Sequence, residues 1–343
     1  PALALGTMTF TMSAMPGTPS IQNAIPMPFF GTTAFAAPGL GLIASAIMLA
    51  FGLWWLGRAE GRARLAGEGF GDGLTPRAGD VAEDGIVRER AAVAQAFDPA
   101  EAAHGAQGGS RPSAWIAFAP LVVVIAVNLL MSLLVLPRVD ASYLEDVRFG
   151  EASLAEVAGV WSVSVALAAA IATVVALNFR RFPALRSTMD AGANASVLPI
   201  LAVASLVGFG AVVAAMPAFE LVRDWVLGIG GGPLVSLAVA TNILAGLTGS
   251  ASGGLTIALD ALGPTFMAIA SETGLSPELM HRVAVIGAGT LDSLPHNGAV
   301  VTLLAVCGCS HRDSYGDIAV TAVLGSIVAL VVVIVLGTMF GSF

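Results

Sequence analysis

The chain contains no lysine; all 15 of its basic residues are arginine, set against 23 acidic ones. Charged residues of every kind make up only 11% of its 343 residues, while 56% are hydrophobic and the mean hydropathy is +0.86. So little charge excludes a soluble domain of this size. Apolar runs of about 20 residues, the length that crosses a bilayer at 1.5 Å per residue, recur along the chain, which places it among polytopic all-α membrane proteins. The formal charge of -8 lies almost wholly in connecting segments, so it identifies no partner beyond the lipid bilayer and gives no sign of nucleic acid. Cysteine is nearly absent: Cys307 and Cys309 stand two apart, form neither a redox nor a zinc CxxC motif, and read as small apolar packing residues. No GxSxG, HExxH, P-loop or metal-ligand cluster occurs, so neither an enzyme, a cofactor nor a metal is expected. Gly69-Phe-Gly-Asp72 matches the GxGD of intramembrane aspartyl proteases but stands in a polar linker, where it is a chance match.

What the chain does have is a polar island in apolar surroundings. Thr290-Leu-Asp-Ser-Leu-Pro-His-Asn297 holds a carboxylate, an imidazole, an amide, two hydroxyls and a proline. Backbone that is not helical sits at membrane depth only where protein or water surrounds it. Pro295 lacks an N–H, so the carbonyl of Leu291 is expected to lose its helical partner and to be open to a ligand or ion. Residues 277–309 therefore predict one broken helix, with halves at 278–290 and 298–309, neither long enough to cross a core of about 30 Å alone. Upstream, residues 233–270 predict a re-entrant hairpin: arms at 233–247 and 255–270, and a tip of seven small residues, Thr248-Gly-Ser-Ala-Ser-Gly-Gly254.

The N-terminal stretch repeats this pattern. Thr11, Ser13, Met15 and Pro16 match Thr290, Asp292, Leu294 and Pro295 in spacing, and the next span starts 23 residues past the proline both times, at Gly39 and Ile318. An internal repeat follows. Residues 1–56 read as the end of a first repeat, a broken helix followed by a span at 39–56 that closes on Trp54 and Trp55. Residues 57–113 carry seven arginines and nine acidic residues without apolar periodicity, and read as a disordered cytoplasmic linker. Residues 114–343 form the second repeat. It has spans at 114–136, 157–178 and 194–216, an amphipathic piece at 219–227, the hairpin, the broken helix and a last span at 318–339.

Arginine placement puts the linker (Arg58, Arg62, Arg64) and the loop with Arg180, Arg181 and Arg186 in the cytoplasm, leaves the acidic loop with Asp140, Glu145, Asp146 and Glu151 outside, and lets the hairpin enter from outside. Five crossings in the second repeat give the two repeats opposite orientation, the plan of inverted-repeat secondary transporters with sites near the midplane. The earlier spans and the hairpin of the first repeat are then expected to be missing from this chain, which starts at Pro1 with no signal peptide ahead of its first span.

Asp292 and His296 are four apart, and helical spacing across the break lets them face each other. Burial disfavours the charged form of each, so the pair is a candidate for proton coupling. The plainer alternative is that Asp292 caps a helix and His296 bonds a carbonyl. The tip residues Thr248, Ser250, Ser252, Gly253 and Gly254 precede a helix start, where free N–H groups would bind an anion; the alternative is a tight turn that needs glycine for its conformation. Asn242, Thr290, Ser293 and Asn297 join the candidate substrate site, and Thr11, Thr18, Ser20, Gln22 and Asn23 offer its symmetric half. Asp260 serves a structural pairing or coupling, and Asn128, Asn178 and Asn194 read as hydrogen bonders between helices or at the interface.

Gly17-Thr-Pro-Ser-Ile-Gln-Asn-Ala-Ile-Pro26, Leu247-Thr-Gly-Ser-Ala-Ser-Gly-Gly254 and Asp292-Ser-Leu-Pro-His-Asn-Gly-Ala-Val-Val-Thr-Leu-Leu304 resemble the GntP family of gluconate and related permeases, in the ion transporter superfamily. The resemblance covers the chain outside the linker and is closer to the hydroxybutyrate permease branch. It implies a longer, multi-pass protein of the bacterial inner membrane that moves a small hydroxy-carboxylate anion, such as 3-hydroxybutyrate or gluconate, together with protons. Sodium coupling is the alternative, since carbonyls and hydroxyls at helix breaks also suit Na⁺. An intramembrane hydrolase using Asp292 and His296 is the remote one. A homodimer is compatible with this reading.

Overall fold

The computed structural model describes residues 1–67, 112–149, 153–197, 215–307 and 309–343, and positions 200, 201, 204, 205, 208 and 212. All regular elements among the described residues are helical, as an apolar chain requires when lipid offers its backbone no partners. Five of these helices are long and apolar enough to cross a membrane: Pro38–Ala66, Ala114–Arg138, Val157–Arg181, Ala251–Thr273 and His311–Phe340.

Pro38–Ala66 starts with proline at its first turn and ends on Gly67, whose φ of 69° closes it in the left-handed form. It runs ten residues beyond Leu56 into the stretch read as linker. That extension is rich in alanine and arginine, and Arg64 pairs with Glu60 one turn back at 2.5 Å. Residues 68–111 of the linker, with the GxGD match, lie outside the described residues, as does about half of the 194–216 span. A helix at Leu185–Ala195 precedes that span and takes in Asn194. The terminal helix, His311–Phe340, lies antiparallel to Pro38–Ala66. The Gly39 N–H donates to the Phe343 carbonyl at 2.7 Å, and at the other end Trp55 Nε1 donates to Asp317 Oδ1 at 2.9 Å.

Residues 233–273 form two packed arms. The first arm, Pro233–Thr248, joins the second, Ala251–Thr273, through Gly249 and Ser250 alone. The seven-residue tip expected from sequence is therefore a two-residue turn, with Ser252, Gly253 and Gly254 already helical. Two local causes suffice. Gly249 takes the left-handed conformation (φ 69°), and the Ser250 hydroxyl caps the second arm by accepting the Gly253 N–H at 3.1 Å. Nor are the arms equally short, because the 23 residues of the second rise about 35 Å. Gly254 serves packing, since a Cβ there would overlap the backbone of Leu244 and Ala245 in the first arm.

The incoming helix, Pro277–Thr290, is capped by Ser276 and ends in a 3₁₀ turn at Leu291–Ser293. Leu294 is extended, and the outgoing helix, Gly298–Cys307, follows. Near the N-terminus, Ala2–Thr7 and a π turn at Phe10–Ala14 give way to extended Met15 and left-handed Gly17, then to the short helices Ile21–Ala24 and Pro26–Phe30. The main apolar core joins both arms, the incoming helix, the terminal helix and residues such as Phe30, Leu40 and Met48.

Candidate functional site

Two clusters of buried polar side chains lie along the incoming helix. The lower one forms where the turn of the two arms meets Leu291–Ser293. Asp292, 3% exposed, accepts the backbone N–H of Ala251 on Oδ1 at 2.7 Å, and the same oxygen lies 3.4 Å from Asn297 Nδ2. Ser250 Oγ and Ser252 Oγ lie 3.3 Å apart beside it. Thr248 Oγ1 bonds the carbonyls of Leu244 at 2.8 Å and Ser250 at 3.1 Å. Ser293 and Asn297 are fully buried, yet Ser293 Oγ and Asn297 Oδ1 have no hydrogen-bond partner.

Several expectations change here. The Leu291 carbonyl freed by Pro295 is not open, because Asn297 Nδ2 donates to it at 3.0 Å; a side chain two residues past the proline reaches back to replace the missing N–H. Asp292 and His296 do not face each other. His296 is exposed and its Nε2 donates to the Gly246 carbonyl at 2.9 Å, so the break turns the imidazole outward to the first arm. Three of the four N–H groups that open the second arm are not free: Ala251 donates to Asp292, Gly253 to Ser250 Oγ, and Gly254 to the Ser250 carbonyl at 2.9 Å. Thr290 is buried and bonds back to Ile286 at 2.8 Å. Asn242 bonds back to Ala238 at 2.8 Å and faces an apolar crevice of about 440 Å³ between the first arm and the terminal helix, away from this cluster.

The upper cluster rests on residues that the sequence reading passed over. His281 and Arg282 are fully buried. Arg282 donates through Nε and Nη2 to the Ala36 carbonyl at 3.1 and 2.7 Å, and through Nη1 to the Ser13 carbonyl at 3.3 Å and Asn23 Oδ1 at 3.4 Å. His281 Nε2 lies 3.2 Å from Asn23 Oδ1, and Nδ1 lies 2.6 Å from the Thr32 hydroxyl. These partners fit a neutral ring with its proton on Nε2. Asn23 Nδ2 in turn donates to the carbonyls of Thr18 and Ala34 at 2.9 and 3.0 Å. Of the proposed symmetric half, only Asn23 is hydrogen-bonded to the second part of the chain among the described residues. Thr18 bonds Thr11 at 2.8 Å, Ser20 bonds Met12 at 2.6 Å, Thr11 bonds Gly6, and Gln22 is half-buried. An arginine inside the apolar run from Leu279 to Ile286 was itself a signal, because ionisable residues at membrane depth mark function or a built partner set. Asp260 sits midway along the second arm, half-buried, with Oδ2 buried and unpartnered.

Long apolar helices and paired polar clusters at a helix break define a multi-pass helical membrane protein. A Bacillus subtilis (strain 168) protein named uncharacterized transporter YxjC is 38% identical over 341 residues, covering 97% of this chain and 68% of that protein. The chain belongs to the family of that transporter. No protein-family model matches it, and no solved structure does.

Proposed function

We propose that the chain is a secondary transporter that carries a small hydroxy-carboxylate anion, of the 3-hydroxybutyrate or gluconate kind, together with a proton across the bacterial inner membrane. The observation that carries this reading is Asp292: a buried carboxylate in a helix break, bonded to the turn of a neighbouring helix pair and flanked by two buried oxygens that lack partners. Such a group costs several kcal/mol at membrane depth, about 3 at least, unless it serves coupling or binding. Its relative's name, uncharacterized transporter, agrees with transport and leaves the cargo open. In this reading the breaks at Met15–Gly17 and Leu294–Asn297 are equivalent parts of two inverted repeats, and rocking of one against the other gives alternating access.

Sodium coupling is a second reading, favoured by the same unpartnered oxygens of Ser293 and Asn297 beside a carboxylate, a donor set that suits a hard cation. Uptake of labelled 3-hydroxybutyrate, gluconate and lactate into vesicles, under separately imposed proton and sodium gradients, decides between them. Accumulation driven by the proton gradient alone supports symport with protons. Accumulation driven by neither gradient would remove coupled transport of these acids.

A further inference from the structure

We propose that Asp292 holds the place of the transported carboxylate: the two anions compete for the backbone N–H of Ala251, and substrate enters only after a proton on Asp292 has released that donor. This rests on the transport reading above, and adds where the anion binds and why a proton accompanies it. The second arm begins at Ala251, and three of its first four N–H groups have partners: Gly253 and Gly254 bond to Ser250, and Ala251 bonds to Asp292 Oδ1 at 2.7 Å. A helix start favours a negative charge, and here the protein supplies one.

An independent observation shows where the proton's own hydrogen bond goes. Ser293 Oγ and Asn297 Oδ1 are buried without partners, and Asn297 sits against the turn, its Oδ1 3.7 Å from where a Cβ on Gly249 would stand. A carboxylate is acceptor-only, so it offers nothing to Asn297 Oδ1, and the Ser293 hydroxyl makes no bond to it. Protonated Asp292 carries an O–H, and that O–H can donate to one of them. The other is left for the hydroxyl of a hydroxy acid. The exchange balances. One proton from water binds a carboxylate oxygen of Asp292, the Ala251 N–H passes to the substrate carboxylate, and both steps reverse on release.

Other ionisable groups lie or bond away from Asp292. The first arm carries none, and Asp260 lies nine residues along the second arm from Ala251. His281 and Arg282 bond to the N-terminal segment, while His296 and His311 bond to the carbonyls of Gly246 and Pro295. Cys307 ends the outgoing helix, and Asp317, at the start of the terminal helix, bonds to Trp55 and pairs with Arg62. None of these is hydrogen-bonded to Asp292.

The test measures binding of 3-hydroxybutyrate to the purified full chain against pH, with proton uptake counted by calorimetry in buffers of different ionisation enthalpy. The wild type should take up one proton per substrate, and its affinity should fall about tenfold per pH unit above the Asp292 pKa. Infrared difference spectra should show a carboxylic-acid band appearing with substrate and missing from Asp292→Asn, which should bind with an affinity independent of pH and without proton uptake. Ala251→Pro removes the contested N–H at the first helical position, where proline is tolerated, and Ser250 already has the extended backbone that suits a residue before proline. Below the Asp292 pKa it should lose about tenfold or more in affinity, by the loss of a charge-assisted bond, and its affinity should no longer fall as pH rises. Wild-type pH dependence in Asp292→Asn, or wild-type affinity in folded Ala251→Pro, overturns the competition. Restoration of binding at high pH by sodium overturns it too, in favour of a cation on those oxygens. Should Ala251→Pro not fold, the Asp292→Asn titration and the infrared band decide. A folded wild type that binds no hydroxy acid refutes the transport reading itself, before any variant is made.

Discussion

The two buried clusters on the incoming helix differ in one respect that separates their roles. Around Arg282 and His281, each named side chain is matched to an acceptor or donor, and the partners come from the N-terminal segment, about 250 residues away in sequence. Around Asp292, ten positions further along, two buried oxygens go without. A saturated buried network fastens two parts of a fold in one arrangement, whereas an unsaturated one costs stability until something fills it. The contrast agrees with docking at the upper cluster and with the proposed binding at the lower.

The largest effect should come from breaking the upper cluster. Arg282→Leu leaves the carbonyls of Ala36 and Ser13 without their donors and should lower stability by about 3 kcal/mol or more, since each buried acceptor left unsatisfied costs about 1 to 3 kcal/mol. Its thermal unfolding in detergent should shift down strongly, and residual uptake should follow the folded fraction. An unfolding temperature equal to the wild type's would deny the fastening role. Thr32→Val is a smaller cut at the same place. It strips the hydroxyl from His281 Nδ1 and should cost about 1 to 3 kcal/mol, with substrate affinity unchanged in the folded protein; a weakened affinity would extend the binding site to this cluster.

Ser293→Ala sharpens the comparison from the other side. The hydroxyl it removes is buried without a partner, so stability should hold or rise, by up to about 3 kcal/mol. Substrate affinity should nevertheless fall several-fold, and equal affinity in variant and wild type would take Ser293 out of the site.

Much of this arrangement was legible in the residues. Pro16 and Pro295 mark interruptions of helix, Gly249 and Ser250 mark a turn with its cap, and Asp292 stands out as an acid among apolar neighbours. The extent of the turn was not legible, because glycine and serine after position 250 read as loop until Gly254 is seen against the first arm. His296 paired with Asp292 on spacing alone, and the break rotated it away.

Class and outline were determined by the sequence by itself: apolar runs with no charge to solvate them must become helices in a bilayer, and a proline with polar neighbours must break one. What only the tertiary structure decided is which polar groups meet. Asn23 and Thr32 finding His281, Ala36 finding Arg282, and Ala251 finding Asp292 are contacts across 41 to 258 positions of chain, and no local periodicity encodes them. Whether a buried oxygen is satisfied or left for a ligand depends on those distant partners, so the difference between the two clusters exists only once the chain is folded.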